Sequence, residues 1–279
     1  MQKHRVILII ISLVLIVVLY FLPRFVVDNE KNQEVDIIPD IDSPSANHPG
    51  ENGASMDVHS LDISTDDQNK INDFRKKMDT KGSDQIILAD SLSKIFLVYN
   101  QYDSAAKYLD IIAGLNPGIS EYENAGNVYF DALGFALDQQ KASLYADKAR
   151  QYFNLLLKED PRRLDIKNKL AMTYISSSNP MQGIAILREI LEEDPDNEKA
   201  LFNLGILAIQ SGQYERGSER FKNLVSLYPQ NLQGQFYLGL CYYEMGQKDK
   251  AKKQFELVKS MEDDPAVLAT IEGYLKELN

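Results

Sequence analysis

A helix-turn-helix pattern that recurs about every 34 residues is the feature of this chain that most restricts its fold. An apolar residue followed by a small one marks the first helix of each copy: Leu92-Ser93, Leu133-Gly134, Leu170-Ala171, Leu204-Gly205 and Leu238-Gly239. A small residue, a bulky residue four later and an apolar residue three after that mark the second helix: Ala105, Leu109, Ile112; Ala149, Phe153, Leu156; Gly183, Leu187, Ile190; Gly217, Phe221, Leu224; Ala251, Phe255, Val258. This spacing places each trio on one helical face, and the period predicts stacked pairs of helices.

The positions of the prolines and the repeat period divide the pattern into five units. Proline cannot continue a helix, so a proline after a second helix ends a unit. The closing prolines are Pro117, Pro161, Pro195 and Pro229. The predicted repeat domain spans 86–279, with units 86–119, 120–163, 164–197, 198–231 and 232–265 and a capping helix over 266–279. The cap is amphipathic and is expected to cover the apolar edge of the last unit.

The repeated residues resemble those of the tetratricopeptide repeat family. Its units follow the pattern W-x2-L-G-x2-Y, then A-x3-F, then P. The most similar copy contains Leu201, Leu204, Gly205, Ala208, Gly217, Phe221 and Pro229. The resemblance covers about 180 of the 279 residues; tryptophan is absent, the second unit has ten extra residues, and Asp263 replaces the fifth proline. It implies an all-α, right-handed solenoid of about five helical hairpins with a terminal cap, acting through protein binding.

The start of the chain predicts a membrane anchor over residues 1–27. Val6 to Leu22 is interrupted only by Ser12 and Tyr20, and at 1.5 Å per residue it spans roughly 26 Å. A cleaved signal peptide is the competing interpretation, but the bulky segment Phe21 to Val27 does not suit a cleavage site. Lys3 and Arg5 precede the apolar run, which predicts a cytoplasmic N-terminus and repeats outside the cytoplasm, in the periplasm if the cell has two membranes.

The next two segments are predicted to connect the anchor to the repeats. Residues 28–64 carry nine acidic side chains against one basic side chain, Lys31, together with several prolines and glycines. Such a composition predicts a disordered acidic tether. Residues 65–85 are predicted to hold a leading helix over 65–81, with Ile71, Phe74 and Met78 as its apolar stripe.

Composition and motifs exclude several classes of function. A net charge of -11 argues against nucleic acid as a partner, because phosphate binding needs a basic face. The three histidines, His4, His48 and His59, fall in the anchor and the tether, and no phosphate-binding, dinucleotide-binding or hydrolase motif occurs. The single cysteine, Cys241, is expected to be a small core residue. The sequence therefore predicts no enzymatic activity, no cofactor and no metal.

One stripe on the first helices is the candidate partner-binding site. In the last three units, the first helix has a second set of residues, spaced i, i+4 and i+7, that lies apart from the positions used for packing within the hairpin. We call these nine residues the track: Asn168, Met172, Ile175, Phe202, Ile206, Ile209, Phe236, Leu240 and Tyr243. In the family that the chain resembles, the first helices line the concave groove, so an apolar track there predicts a docking surface for a peptide or helix. The alternative is that neighbouring first helices bury part of the stripe against one another.

The sequence thus predicts a membrane-anchored adaptor that holds an apolar segment of a partner protein. A narrower version, an assembly factor or holdase in the cell envelope, rests on analogy with the family. The other class is a structural role, in which the groove is filled by the chain's own terminal helix or by a second copy and the protein acts as a self-association or spacing element.

Overall fold

The repeat region is built from α-helices throughout the described chain. The computed structural model describes residues 62–79, 81–177 and 179–278. Within those ranges there are twelve helices: α1 Thr65–Lys77, α2 Ser83–Val98, α3 Tyr102–Leu115, α4 Ile119–Gly134, α5 Gln139–Glu159, α6 Leu164–Ile175, α7 Pro180–Glu193, α8 Glu198–Gln210, α9 Tyr214–Leu227, α10 Leu232–Glu244, α11 Lys248–Met261 and α12 Pro265–Glu277. Helices α2 to α11 form five consecutive hairpins, and each hairpin packs on the next. The predicted all-α solenoid of stacked hairpins is confirmed.

Local sequence signals set the helix ends. Asn197 and Asn231 precede the first helices of the fourth and fifth units, and each side chain accepts a hydrogen bond from a backbone N–H of the first turn, at 3.1 and 2.6 Å. This capping satisfies a donor that the helix itself leaves unpaired. Between the helices of those two hairpins, Gly212 and Gly246 have φ angles of 68° and 67°. Only glycine adopts this left-handed conformation without a steric cost, so it suits the sharp turn between paired helices.

Close packing within the fourth and fifth hairpins depends on a glycine that faces a buried ring. A Cβ atom on Gly205 would lie 2.6 Å from Phe221 Cζ, and one on Gly239 would lie 2.9 Å from Phe255 Cε1. The phenylalanine rings of the second helices are completely buried. The absence of a side chain on the first helix therefore lets the two helices approach at this point.

The same contact corrects the register of the second unit. Gly126, not Gly134, faces the buried ring of Phe153, where a Cβ would lie 2.9 Å from its Cε1 atom; nothing lies within 4 Å of a Cβ on Gly134. The prediction that Leu133-Gly134 is the packing pair of this unit is therefore wrong, and Ala125-Gly126 takes that place. The extra residues lie after the pair and lengthen α4 to 16 and α5 to 21 residues, against 13 and 14 in the fourth hairpin.

Single helices pack on both ends of the stack. Helix α1 buries Ile71, and the Arg75 Nε atom donates a hydrogen bond to the Tyr108 hydroxyl at 2.9 Å. The helix predicted over 65–81 ends at Lys77. At the other end, α12 buries Val267 and Ile271. The last hairpin therefore does not end in an open apolar edge.

The N-terminal predictions lie outside the described residues. The anchor over 1–27 and nearly all of the tether over 28–64 belong to that part of the chain. Among the helices of the described ranges, none is both long enough and apolar enough to cross a bilayer.

Candidate functional site

The track follows one face of three consecutive first helices. Asn168, Met172 and Ile175 lie on α6, Phe202, Ile206 and Ile209 on α8, and Phe236, Leu240 and Tyr243 on α10. Three of the nine side chains, Asn168, Phe236 and Leu240, are buried, and the other six are half-buried. The buried three contribute to packing between helices. Any docking surface therefore comes from the half-buried members, and their role stays a prediction.

The fifth-unit end of the track is covered by the terminal helix. The ring of Tyr274 on α12 lies 6.0 Å from that of Phe236 and 5.2 Å from that of Tyr243, edge-on in both cases. The Tyr243 hydroxyl also donates a hydrogen bond to the Glu277 carboxylate. That bond, helped by burial, raises the pKa of Tyr243 to about 12. Two of the three track residues on α10, Phe236 and Tyr243, thus contact the chain's own α12.

The third and fourth units hold the more open part of the track. Phe202 packs edge-on against Phe221 and Tyr237, with ring centroids 5.8 and 5.7 Å apart. Met172 and Ile206, which lie in equivalent positions on α6 and α8, are both half-buried. Apolar side chains that keep access to solvent on neighbouring helices can still bury area against a partner.

Asn168 connects two units instead of facing a partner. Its Nδ2 atom donates to the Leu164 carbonyl at 3.1 Å and to Asn197 Oδ1 at 3.2 Å. Asn197 caps α8, so the pair ties the start of α6 to the start of the next first helix. The Asn168 Oδ1 atom is buried and has no hydrogen-bond partner among the described residues.

The corrected register extends the track into the first two units, which the sequence prediction missed. Counting from Gly126 and Ser93 as from Gly205, the equivalent positions are Glu123, Asn127 and Phe130 on α4 and Asp90, Lys94 and Leu97 on α2. Most of these side chains are polar. The face therefore changes along the chain from mostly polar in the first two units to mostly apolar in the last three. The contact between Gly126 and Phe153 fixes the register of α4 and so identifies these positions. The sequence prediction missed them because it took Leu133-Gly134 as the packing pair.

Several polar side chains of this extension are engaged in contacts between units. Arg163 donates two hydrogen bonds to the Glu123 carboxylate, at 2.7 and 3.2 Å, and two more to Asp165. The bonds to Asp165 and Glu123 raise the pKa of the Arg163 guanidinium. Lys169 on α6 donates to Asn127 on α4 at 2.6 Å. These bonds join the second unit to the third at the point where the face changes character.

Chemically reactive groups do not gather on this face in the described part of the chain. Cys241 is completely buried, and burial raises the pKa of its thiol to about 12, so little thiolate exists near neutral pH. Among the described residues, no three His, Cys, Asp or Glu side chains converge in a way that could hold a metal ion.

The repeated hairpins define a class: an all-α solenoid of the tetratricopeptide repeat type. The family model described as tetratricopeptide repeat matches residues 177–225 and 208–271 of this chain, from the turn between α6 and α7 to α12. The sequence match supports the tetratricopeptide repeat family for this part of the chain. A comparison with curated proteins gave no match.

Solved structures share this fold. A tetratricopeptide repeat protein from Parabacteroides merdae ATCC 43184 aligns over 76% of this chain and 81% of its own, with 21% identity and a TM-score of 0.55. MamA from residue 41 to its end, from Desulfovibrio magneticus RS-1, aligns over 65% of this chain and 97% of its own, with 18% identity and a TM-score of 0.50. At these identities the similarity is one of fold.

Proposed function

We propose that this chain is a protein-interaction scaffold that docks an apolar segment of a partner protein on the open part of the track. The observation that carries the proposal is the pair of half-buried apolar side chains Met172 and Ile206 on adjacent first helices, flanked by Ile175, Phe202 and Ile209. Burial of apolar area supplies about 25 cal/mol per Å² before the costs of association. An apolar partner segment is the occupant that such a face suits.

The proposal places the scaffold at a membrane surface. Residues 1–27 act as an uncleaved anchor with a cytoplasmic N-terminus, residues 28–64 act as a tether, and the repeats work outside the cytoplasm. The support is the apolar run and the charge distribution of the sequence, with Lys3 and Arg5 ahead of the run. Anchoring raises the effective concentration of a captured partner near the membrane, as an assembly factor or holdase of the cell envelope requires.

A structural self-association role is the second candidate, and one observation favours it. Helix α12 already covers the fifth-unit end of the track through Tyr274. A second copy that presents an apolar segment to the third and fourth units would extend the same kind of contact and make the protein a spacing element.

Site-specific photo-cross-linking in intact cells separates these roles. A photoreactive amino acid at position 206 samples the open track, and the same amino acid at Met181, a side chain on α7 that is 66% exposed, samples a face away from it. We expect a cross-link to a different protein from position 206 and not from position 181. A cross-link from position 206 only to a second copy of the chain supports the structural role and rejects the adaptor.

A charge variant tests whether apolar contact holds the partner. In the double variant M172D/I206D we expect the cross-link from position 202 to fall by about tenfold or more, because carboxylates replace the buried apolar contact. M181D introduces a single aspartate in place of an exposed methionine and should leave the cross-link intact. Equal helical circular dichroism of the variants shows that the fold is retained. A cross-link that survives M172D/I206D contradicts the docking of an apolar segment on the track.

A further inference from the structure

A cleft between the third and fourth hairpins opens on the side of the second helices. It has a volume of about 380 Å³, within the range of ligand-binding sites. Ile184 on α7 and Leu207 and Ala208 on α8 form its apolar floor. Arg188 on α7 forms one wall, and Arg216 and Arg220 on α9 form the other.

The charge of this cleft is opposite to that of the chain. The chain has a net charge of -11 and nine arginines, and three of the nine line this one cleft with a single acidic residue, Glu219. Random placement of charge would favour an acidic lining. The concentration of guanidinium groups therefore points to an anionic ligand.

Two of the three guanidinium groups are available to a ligand. Arg216 donates a hydrogen bond to Gln213 Oε1 at 2.6 Å. Arg188 and Arg220 form neither a hydrogen bond nor an ion pair with another residue in the described part of the chain, whereas Arg150 and Arg163 are held by carboxylates. The unpaired arginines thus stand on opposite walls, above the apolar floor.

The junction between these hairpins explains why the floor is accessible. The contact of α7 with α8 is the smallest of those between consecutive hairpins. Ile184, Leu207 and Ala208 are consequently only half-buried, although Ile184 and Leu207 pack against the core around Leu187 and Leu204. A tighter junction would close this space.

We propose that the cleft binds an acidic segment of a partner protein in which carboxylate side chains alternate with apolar ones. In an extended segment successive side chains point to opposite sides, so apolar side chains can cover the floor while carboxylates reach the guanidinium groups on the walls. A lone phosphate would pair with the arginines and leave the floor uncovered. Single-stranded nucleic acid binds by stacking on aromatic rings, and the lining contains none.

This site is independent of the track. The cleft lies between second helices, whereas the track lies on a different face of the first helices, and the two have no residue in common. Binding at the cleft therefore neither requires the proposed docking of an apolar segment nor fails with it.

Fluorescence anisotropy with a defined peptide tests the proposal. The probe is a labelled heptapeptide in which Asp alternates with Ile, added to the full-length chain in a non-ionic detergent at low salt. We expect R188Q/R220Q to weaken binding on the order of tenfold or more, since two charge-assisted contacts are lost. R162Q removes one positive charge, where the double variant removes two, from a side chain that is 92% exposed outside the cleft, and it should leave the affinity unchanged. M172D/I206D should also bind the probe normally.

Further variants and probes distinguish specific binding in the cleft from non-specific attraction to positive charge. R188K/R220K keeps both charges but not the planar fork, so we expect it to restore part of the affinity. A heptapeptide in which Asp alternates with Ser should bind about tenfold more weakly than the Ile probe, because it cannot cover the floor. Equal binding of the Ser and Ile probes, an equal effect of R162Q, or displacement of the probe by inorganic phosphate or oligothymidylate at matched charge would overturn the proposal.

Discussion

A single carboxylate, Asp110, holds together side chains from the first and second hairpins. Its two oxygens accept hydrogen bonds from the Tyr129 hydroxyl at 2.9 Å, the Tyr152 hydroxyl at 2.5 Å and the Lys148 ammonium at 2.7 Å. Burial, followed by the bonds to Asp110, raises the pKa of both tyrosines, so the hydroxyls remain protonated donors through the neutral range. The cluster is a fixed contact between α3, α4 and α5.

Removing this carboxylate should measurably destabilise the repeat region. We expect D110A to lower the free energy of unfolding by about 2 kcal/mol, because it leaves two largely buried hydroxyls unpaired. A larger effect is not expected, since the Asp110 side chain is 25% exposed and water can replace part of the bonding. Urea unfolding followed by circular dichroism measures the change.

An exposed aspartate on a neighbouring helix provides the control. Among the described residues the Asp90 carboxylate pairs with Lys94, one turn further along α2, and both side chains are exposed. D90A introduces the same change in helix propensity and should cost less than about 0.5 kcal/mol. Equal losses for the two variants would show that the hydroxyls around position 110 are satisfied by solvent.

At the scale of the helices, the closest approach within a hairpin is set by a glycine. A Cβ on Gly183 would lie 2.4 Å from the Ala171 carbonyl oxygen and 2.6 Å from Ile175 Cγ1. Backbone cannot yield as a flexible side chain can, so G183A must push α7 away from α6. We expect a loss of about 1–3 kcal/mol in urea unfolding, typical of overpacking.

The matched control places the same methyl group where space is open. Nothing lies within 4 Å of a Cβ on Gly273, inside α12. G273A should therefore raise stability by up to about 1 kcal/mol, through the helix propensity of alanine alone. A stabilising G183A would mean that the helices of the third hairpin are not in contact at this point.

The hairpin contacts also show why the sequence predicted the architecture and misplaced one element. Spacing alone assigned Gly183, Gly205 and Gly239 to hairpin packing, because their units have no insertion. The second unit contains two such pairs eight residues apart, Ala125-Gly126 and Leu133-Gly134. Because this unit is ten residues longer than the others, the 34-residue period does not decide between them. Only the three-dimensional contact with Phe153 distinguishes them.

The sequence predicts where the track lies on the first helices, but it does not predict which of its side chains are exposed to solvent. The face that carries the track follows from helical periodicity, which groups its residues on α6, α8 and α10, and its role as a docking surface stays a prediction. Burial of Phe236 depends on Phe255 of α11 and Tyr274 of α12, with ring centroids 5.7 and 6.0 Å away. The periodicity of α10 carries no information on how a later helix crosses it, and this tertiary contact decides which part of the track stays open.

At the scale of the molecule, we expect the stability of each hairpin to depend only on its own contacts and on those with the adjacent hairpins. Contacts link each helix mainly to the helices next to it in the chain, and α12 contacts α11 and, through Tyr274, the rings of α10. In such a quasi-one-dimensional stack, the loss of a terminal element acts locally. Removal of α12 is the direct test of this property.

A chain that ends after Asp263 lacks α12 and should lose protection only near the new end. Hydrogen exchange followed by mass spectrometry should show faster exchange in α10 and α11, because the rings of Phe236 and Phe255 lose the cover of Tyr274. Exchange in α3, α4 and α5 should stay within error of the full chain, since those helices do not contact α12. A chain that ends after Glu277 keeps α12 and controls for shortening. Faster exchange through all five hairpins would contradict nearest-neighbour coupling, because it would require the whole repeat region to unfold as one unit.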